Sequence, residues 1–242
     1  MSDAALVTDG APTNSCVPVQ GSNRGLPSPV EYTAQAPPER VVFSDHVRSL
    51  IASRQTVSPK RLASPAPTET QIGEILSSAA AAPDHGLLMP WRIVCIGEDQ
   101  RAALAKAFVL ALLGRDPGAT AEQLESAHDK AFRAPFLALV VFRLGPESAG
   151  IRAIEQTISV GCAIQNILLT AHAMGFGAGL SSGRALTSEP IRALFGLALN
   201  EEAACFIAIG TVSKLRPIRH RPGLNSFVSH LKAAAFVSTS LS

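Results

Sequence analysis

Between Glu155 and Met174 the chain offers almost no polar face. Ile158, Gly161, Cys162, Ile164, Ile167, Leu168, Leu169 and Ala171 point to all sides of a helix of this length, with Gln165 among them. A helix apolar nearly all round is buried, often against a second copy of itself. Gly175 stands where a left-handed residue would end it. Whatever fold forms must be built around this helix.

The other elements follow from caps and periodicity. Phe43 is the expected start of the folded part, with Ser44 capping a helix that runs to Arg54. A polar connection from 55 to 67 leads to Thr68 and Gln71, spaced as a capping box, and to a helical stripe of Ile72, Ile75, Leu76, Ala79 and Ala80. Pro83 cannot sit inside that helix, so it ends near Ala82. The segment from Ala82 to Arg92 is then a rigid loop. Gly86 permits a tight path, and Pro90 fixes the approach to an apolar strand, Ile93 to Ile96. Such loops carry function more often than packing. A further helix is expected from about Asp99 to Leu113. Thr120 and Gln123 repeat the capping box before a helix to about Phe132. Phe136 to Phe142 and Ala204 to Ile209 read as buried strands, and Gly177 to Ser181 as a short strand or turn. Ser188 and Pro190 open a short helix that ends at Gly196. Helices and strands alternate irregularly, without repeats, which predicts an α+β domain of three layers.

Residues 1 to about 42 differ. Pro12, Pro18, Pro27, Pro29, Pro37 and Pro38 are interleaved with small polar residues and no apolar period. By composition this is a disordered or loosely draped extension, open to wrapping over a partner subunit.

Hydrophobic residues make up 47% and charged residues 17%, with a formal net charge of +2. A large core is expected, and no nucleic-acid partner, since a clustered basic face is missing. No apolar run reaches the roughly 18 residues a membrane span needs, and the N-terminus lacks a secretory pattern. Cys95, Cys162 and Cys205 lie in apolar segments without paired spacing, and with Cys16 they suggest reduced core thiols in a cytoplasmic protein. The six histidines show no metal spacing, and neither a phosphate loop nor a complete G-x-G-x-x-G is present. Gly179-Leu180-Ser181-Ser182-Gly183 does match the G-x-S-x-G elbow of serine hydrolases. No aspartate follows Ser181, and the 61 residues after it are too few for the rest of that fold. Serine hydrolysis at Ser181 is the outside reading.

Several segments, taken in order, resemble the FMN-dependent nitroreductase family, in particular its compact members. Leu50 to Gln55 resembles the end of the family's N-terminal helix. Pro65 to Thr68, Ala82 to Gly86 and Pro90-Trp91-Arg92 resemble its next helix and flavin-facing loop. Glu155-Gln156 with Ser159 to Ala163 resembles the start of a central dimer helix. Gly175-Phe176-Gly177 and Ser182-Gly183 resemble the second flavin loop, and Ile209-Gly210-Thr211 with Arg219 to Pro222 the C-terminal phosphate region. The likeness spans about residues 43 to 231.

The resemblance implies a three-layer α/β/α fold with a central mixed, mainly antiparallel sheet. It also implies a homodimer with two flavins at the interface and FMN as cofactor. NAD(P)H would be the co-substrate, and a nitroaromatic or quinone the second substrate, reduced in ping-pong fashion. No side chain need act as acid or base, because the flavin carries the hydride. The residues it assigns to the cofactor are Ser53, Arg54, Gln55, Pro83, Asp84, His85, Leu180, Ser181, Ser182, Gly183, Arg219 and Arg221. Arg54, Arg219 and Arg221 offer forks suited to a phosphate monoester, with either of the last two as its contact. Ser53, Gln55 and Ser182 suit phosphate or ribityl oxygens, and the Pro83 to His85 backbone suits the ring.

The pattern departs from the family in three places. Ser53-Arg54 replaces an arginine pair and Gln55 its serine. Leu180 and Ser181 stand where compact members often carry tryptophan and arginine, which would open the pocket to bulkier acceptors. There is a three-residue expansion near Val57 to Lys60. A dehalogenating or flavin-destroying enzyme on the same scaffold is the alternative, although the short connection from Arg143 to Glu155 leaves little room for a lid. A non-enzymatic flavin-binding protein, docking through its N-terminal extension, is another.

Overall fold

The computed structural model describes residues 38–145, 150–214, 216–217 and 220–231, with side chains from residue 43 onward. The chain divides into two units, Met1–Val41 and Val42–Ser242. Of the first, only the opening turn of a helix is described, so the expected extension lies almost wholly outside the described residues.

That helix, α1 (Pro38–Ser53), starts upstream of the expected Ser44 cap. Proline is tolerated in a first turn, where its missing N–H would have no partner. The chain then runs through β1 (Leu62–Ala63), α2 (Glu69–Ser77), β2 (Trp91–Cys95), α3 (Arg101–Arg115) and α4 (Ala121–His128). After them come β3 (Phe136–Arg143), α5 (Ala153–Ala173), β4 (Gly177–Ser181), α6 (Glu189–Leu194) and β5 (Glu201–Val212). Both capping boxes form. Thr68 Oγ1 accepts from the Gln71 N–H while Gln71 Oε1 accepts from the Thr68 N–H, and Thr120 and Gln123 do the same. Strand β1 was not foreseen. It is two residues long and exists only because Leu62 and Ala63 pair with Val212 and Thr211.

The sheet runs β1-β5-β3-β2, and β4 also pairs with β5. All of these ladders are antiparallel, and the parallel component is a single bridge between Thr56 and Ala178. Strands β3 and β5 divide their side chains between two cores with the period of two a strand imposes. Leu137, Leu139, Val141, Phe206 and Ala208 join Leu104, Phe108 and Ile191 on one face. Val140, Cys205, Ile207 and Ile209 join Ile75, Val160, Ile167 and Leu168 on the other. Burial on both faces explains why these strands read as unbroken apolar runs. The result is three layers, with α3, α4 and α6 on one side of the sheet and α2 and α5 on the other.

Two expectations about burial need correction. Cys95 is exposed rather than in the core, while Cys162 is half-buried and Cys205 buried. Cys95 ends β2, the last strand in the sheet order, which has no strand on its outer side among the described residues. Cys16 lies outside the described residues. Helix α5 is also not enclosed. Val160, Ala163, Ile167 and Ala171 are buried, but Ile154 and Ile158 are more than half exposed. Phe43, Val47 and Ile51 of α1, one turn apart, are exposed as well.

Candidate functional site

The segment that follows α1 runs beside β4. Val57 N–H donates to the Ala178 carbonyl at 2.9 Å, and Thr56 bridges the same residue. Any Cβ at Gly179 would collide with the Val57 carbonyl, so glycine is required for the approach. This seam forms one wall of a cavity of about 230 Å³ lined by Ser53, Arg54, Gln55, Arg61, His172, Lys214 and Arg216. No carboxylate lines it among the described residues.

The cavity is electrostatically one-sided. Burial, and secondarily the Arg221 charge, push the Arg54 guanidinium below its ordinary pKa. Arg221 Nη2 donates to the Arg54 carbonyl at 2.7 Å. Arg61 Nη1 donates to the Lys214 carbonyl at 3.3 Å, yet its Nε is buried with no hydrogen-bond partner. A buried donor without an acceptor is costly and marks a place where a ligand oxygen would fit. Ser53 Oγ and His172 Nε2 share a hydrogen bond of 2.8 Å. Four cationic side chains, an unsatisfied donor and a hydroxyl–imidazole pair fit a phosphate monoester.

The remaining sequence candidates fall elsewhere. Ser181, Ser182 and Gly183 emerge from the far end of β4 and line a separate cavity of about 520 Å³. Leu180, beside them, is 42% exposed. Ser181 hydrogen-bonds to no histidine among the described residues, and no helix follows β4 directly, so the hydrolase elbow does not form. Pro83, Asp84 and His85 line neither cavity. Their loop is nonetheless fixed. Asp84 Oδ2 accepts from the Met89 N–H at 2.6 Å, and His85 Nδ1 lies 2.9 Å from Glu155 Oε2 at the start of α5. The His85 and Arg152 hydrogen bonds hold the Glu155 carboxyl below its usual pKa. Gly86, at φ 74°, packs so closely on Ile151 that a side chain would displace it. Arg219 lies outside the described residues.

Arg61, His172, Lys214 and Arg216 are the site residues that sequence reading missed. Arg61 directly follows the expansion near Val57 to Lys60. Lys214 and Arg216 were visible as a basic pair after the last strand. His172 carried no signal, because only folding brings it beside Ser53.

Fold and cavity together define a three-layer α/β/α protein with a cationic cavity that no carboxylate lines among the described residues. The chain belongs to the nitroreductase family, whose profile matches residues 51–211. It is 32% identical over 163 residues to the Haemophilus influenzae protein named "Putative NAD(P)H nitroreductase", a match covering 67% of this chain and 86% of that one. It is 31% identical over 183 residues to the Bacillus subtilis protein named "Putative NAD(P)H nitroreductase YfhC", covering 72% and 92%. In fold it is similar to the nitroreductase-like protein of Bacillus cereus, with a TM-score of 0.66 at 20% identity over 84% of this chain and 100% of that one. The FMN-dependent nitroreductase NfnB of Mycobacterium smegmatis, solved with NADPH, gives 0.62 at 15% over 78% and 100%.

Proposed function

We propose that this protein is an FMN-dependent NAD(P)H oxidoreductase acting on nitroaromatic compounds, with quinones as further acceptors. The observation that carries this reading is the cationic cavity at the end of α1, which no carboxylate lines and in which the Arg61 Nε has no partner among the described residues. The relatives' names supply the nicotinamide and the nitro group, and the neighbour's description supplies FMN.

Arg54, Arg61, Lys214 and Arg216 would hold the cofactor phosphate, and the Ser53–His172 pair would orient one of its oxygens. When bound, FMN supplies hydride transfer between the reduced nicotinamide and an electron-poor acceptor. Leu180 and the exposed end of β4 would give the ring an apolar edge, while the serines there donate hydrogen bonds. Pro83, Asp84 and His85 stand apart from the Arg54 cavity, so in this reading they serve a second copy of the chain. Ile154 and Ile158 on α5, with Leu224, Phe227 and Leu231 in the C-terminal arm, are exposed apolar residues suited to that contact. No side chain is needed as a proton donor to the flavin, and both substrates would use one stacking surface in turn.

Steady-state rates with NADPH and a nitroaromatic, each varied against the other, test the reading. Alternating use of one surface gives parallel double-reciprocal lines. Intersecting lines contradict it.

A further inference from the structure

The cavity at the exit of β4 is also positively charged. It measures about 520 Å³, within the range of small-molecule sites. Lys60, Arg115, Lys130, Arg133 and Arg184 line it, and no carboxylate does among the described residues. Of these only Arg133 has a hydrogen-bond partner among the described residues, the Ser126 carbonyl and hydroxyl, and none is ion-paired. Glu122, Glu125 and Asp129 line a separate open groove that shares Lys60, Ser126 and Arg133. Burial, then Arg133, then Arg115 lower the Lys130 pKa, as expected of cations crowded without a counter-charge.

Behind the cations the cavity is apolar. Phe108, Leu112, Leu137 and Phe206 line it, and the two phenylalanine rings meet edge-on with centroids 5.6 Å apart. A bare anion would leave this surface dry and unfilled, and an uncharged apolar molecule would leave the cations unpaired. We infer that the α3–α4 cavity is a binding site for an anionic amphiphile, an alkyl or aryl body carrying a phosphate-type dianionic head. The body lies against Phe108, Leu112 and Phe206. The head meets Arg115, Lys130 and Arg133, which come from α3 and the segment between α4 and β3. Ser181, Ser182 and Gly183 also line this cavity, so its mouth adjoins the β4 exit that the proposed function gives to the flavin ring, while the contacts of Arg115, Lys130 and Arg133 do not depend on that reading.

Titration calorimetry with octyl phosphate on the protein as purified, with FMN added to saturation, tests the inference. The expected result is one-to-one binding, with octanol and inorganic phosphate each far weaker. Lys130→Gln and Arg115→Gln should each weaken binding about tenfold or more, the equivalent of one charged hydrogen bond. Leu112→Trp should abolish it by filling the cavity, with circular dichroism checking that each variant is folded. Absence of heat with octyl phosphate would overturn the inference. So would octanol binding equally well, or folded Lys130 and Arg115 variants that bind like the parent. Displacement of octyl phosphate by adenosine 2′-phosphate at equal concentration would overturn the alkyl or aryl body in favour of a nucleotide. Release of FMN by octyl phosphate would overturn the inference by placing the phosphate head in the Arg54 cavity instead.

Discussion

Arg61 combines a fixed position with an unmet donor. Its backbone carbonyl accepts from both the N–H and the hydroxyl of Ser213, and its Nη1 reaches the Lys214 carbonyl. The guanidinium is therefore placed before any ligand arrives. Arg61→Ala should weaken FMN binding by about tenfold or more, read by quenching of flavin fluorescence. Unchanged affinity would remove Arg61 from the site. Glu201 makes the opposite case, a fully used charge. Arg92 donates to both its oxygens at 2.8 Å, and Arg143 and the Ala198 N–H add bonds of 3.2 Å. The Arg92 hydrogen bond, above all, holds its pKa at about 2, against an ordinary 4.5. A depressed carboxyl stabilises fully above its unfolded value and loses that stabilisation as pH falls from about 4.5 towards 2. Glu201→Gln should cost about 3 kcal/mol at neutral pH, by urea denaturation, and should flatten the acid limb of stability across that window. Neither residue announces its role in the sequence. Arg61 acquires its setting from the pairing of β1 with β5, and Glu201 from arginines 58 and 109 residues away.

At the scale of elements, what is local was legible. The two capping boxes could be read because both partners lie within four residues. The β3 and β5 runs could be read because burial on both faces leaves them uniformly apolar. Strand β1 has no pattern of its own, and the outward position of Cys95 depends on β2 being at the edge of the sheet. The segments that the resemblance assigns to a cofactor lie in three places in the fold, an α1–β4 cavity, a β4 exit and a loop fixed to α5. Strand β4 links the first two, and Leu180 stands exposed at its exit. If that position sets acceptor size, Leu180→Trp should lower the ratio of kcat/KM for bulky over small nitroaromatics several-fold. An unchanged ratio would show that acceptor size is set elsewhere.

The whole molecule leaves apolar surface uncovered in a single chain. Phe43, Val47 and Ile51 form one stripe, and Ile154 and Ile158 extend another along α5. The nearly all-apolar character of α5 was plain in the sequence, but which of its sides faces solvent in one chain was not. With the Pro83 to His85 loop away from the Arg54 cavity, the proposed flavin site needs two copies to be complete. Ile158→Asp should therefore yield a monomer by sedimentation velocity and should lose FMN with it. A monomer that keeps its flavin would contradict the composite site.

The visible spectrum of the purified protein, followed anaerobically on addition of NADPH or NADH, tests the central claim most directly. The account predicts an oxidised-flavin spectrum, intrinsic or on adding FMN, that bleaches rapidly with a reduced nicotinamide. A protein that stays colourless with added FMN and leaves both nicotinamides unoxidised would contradict it.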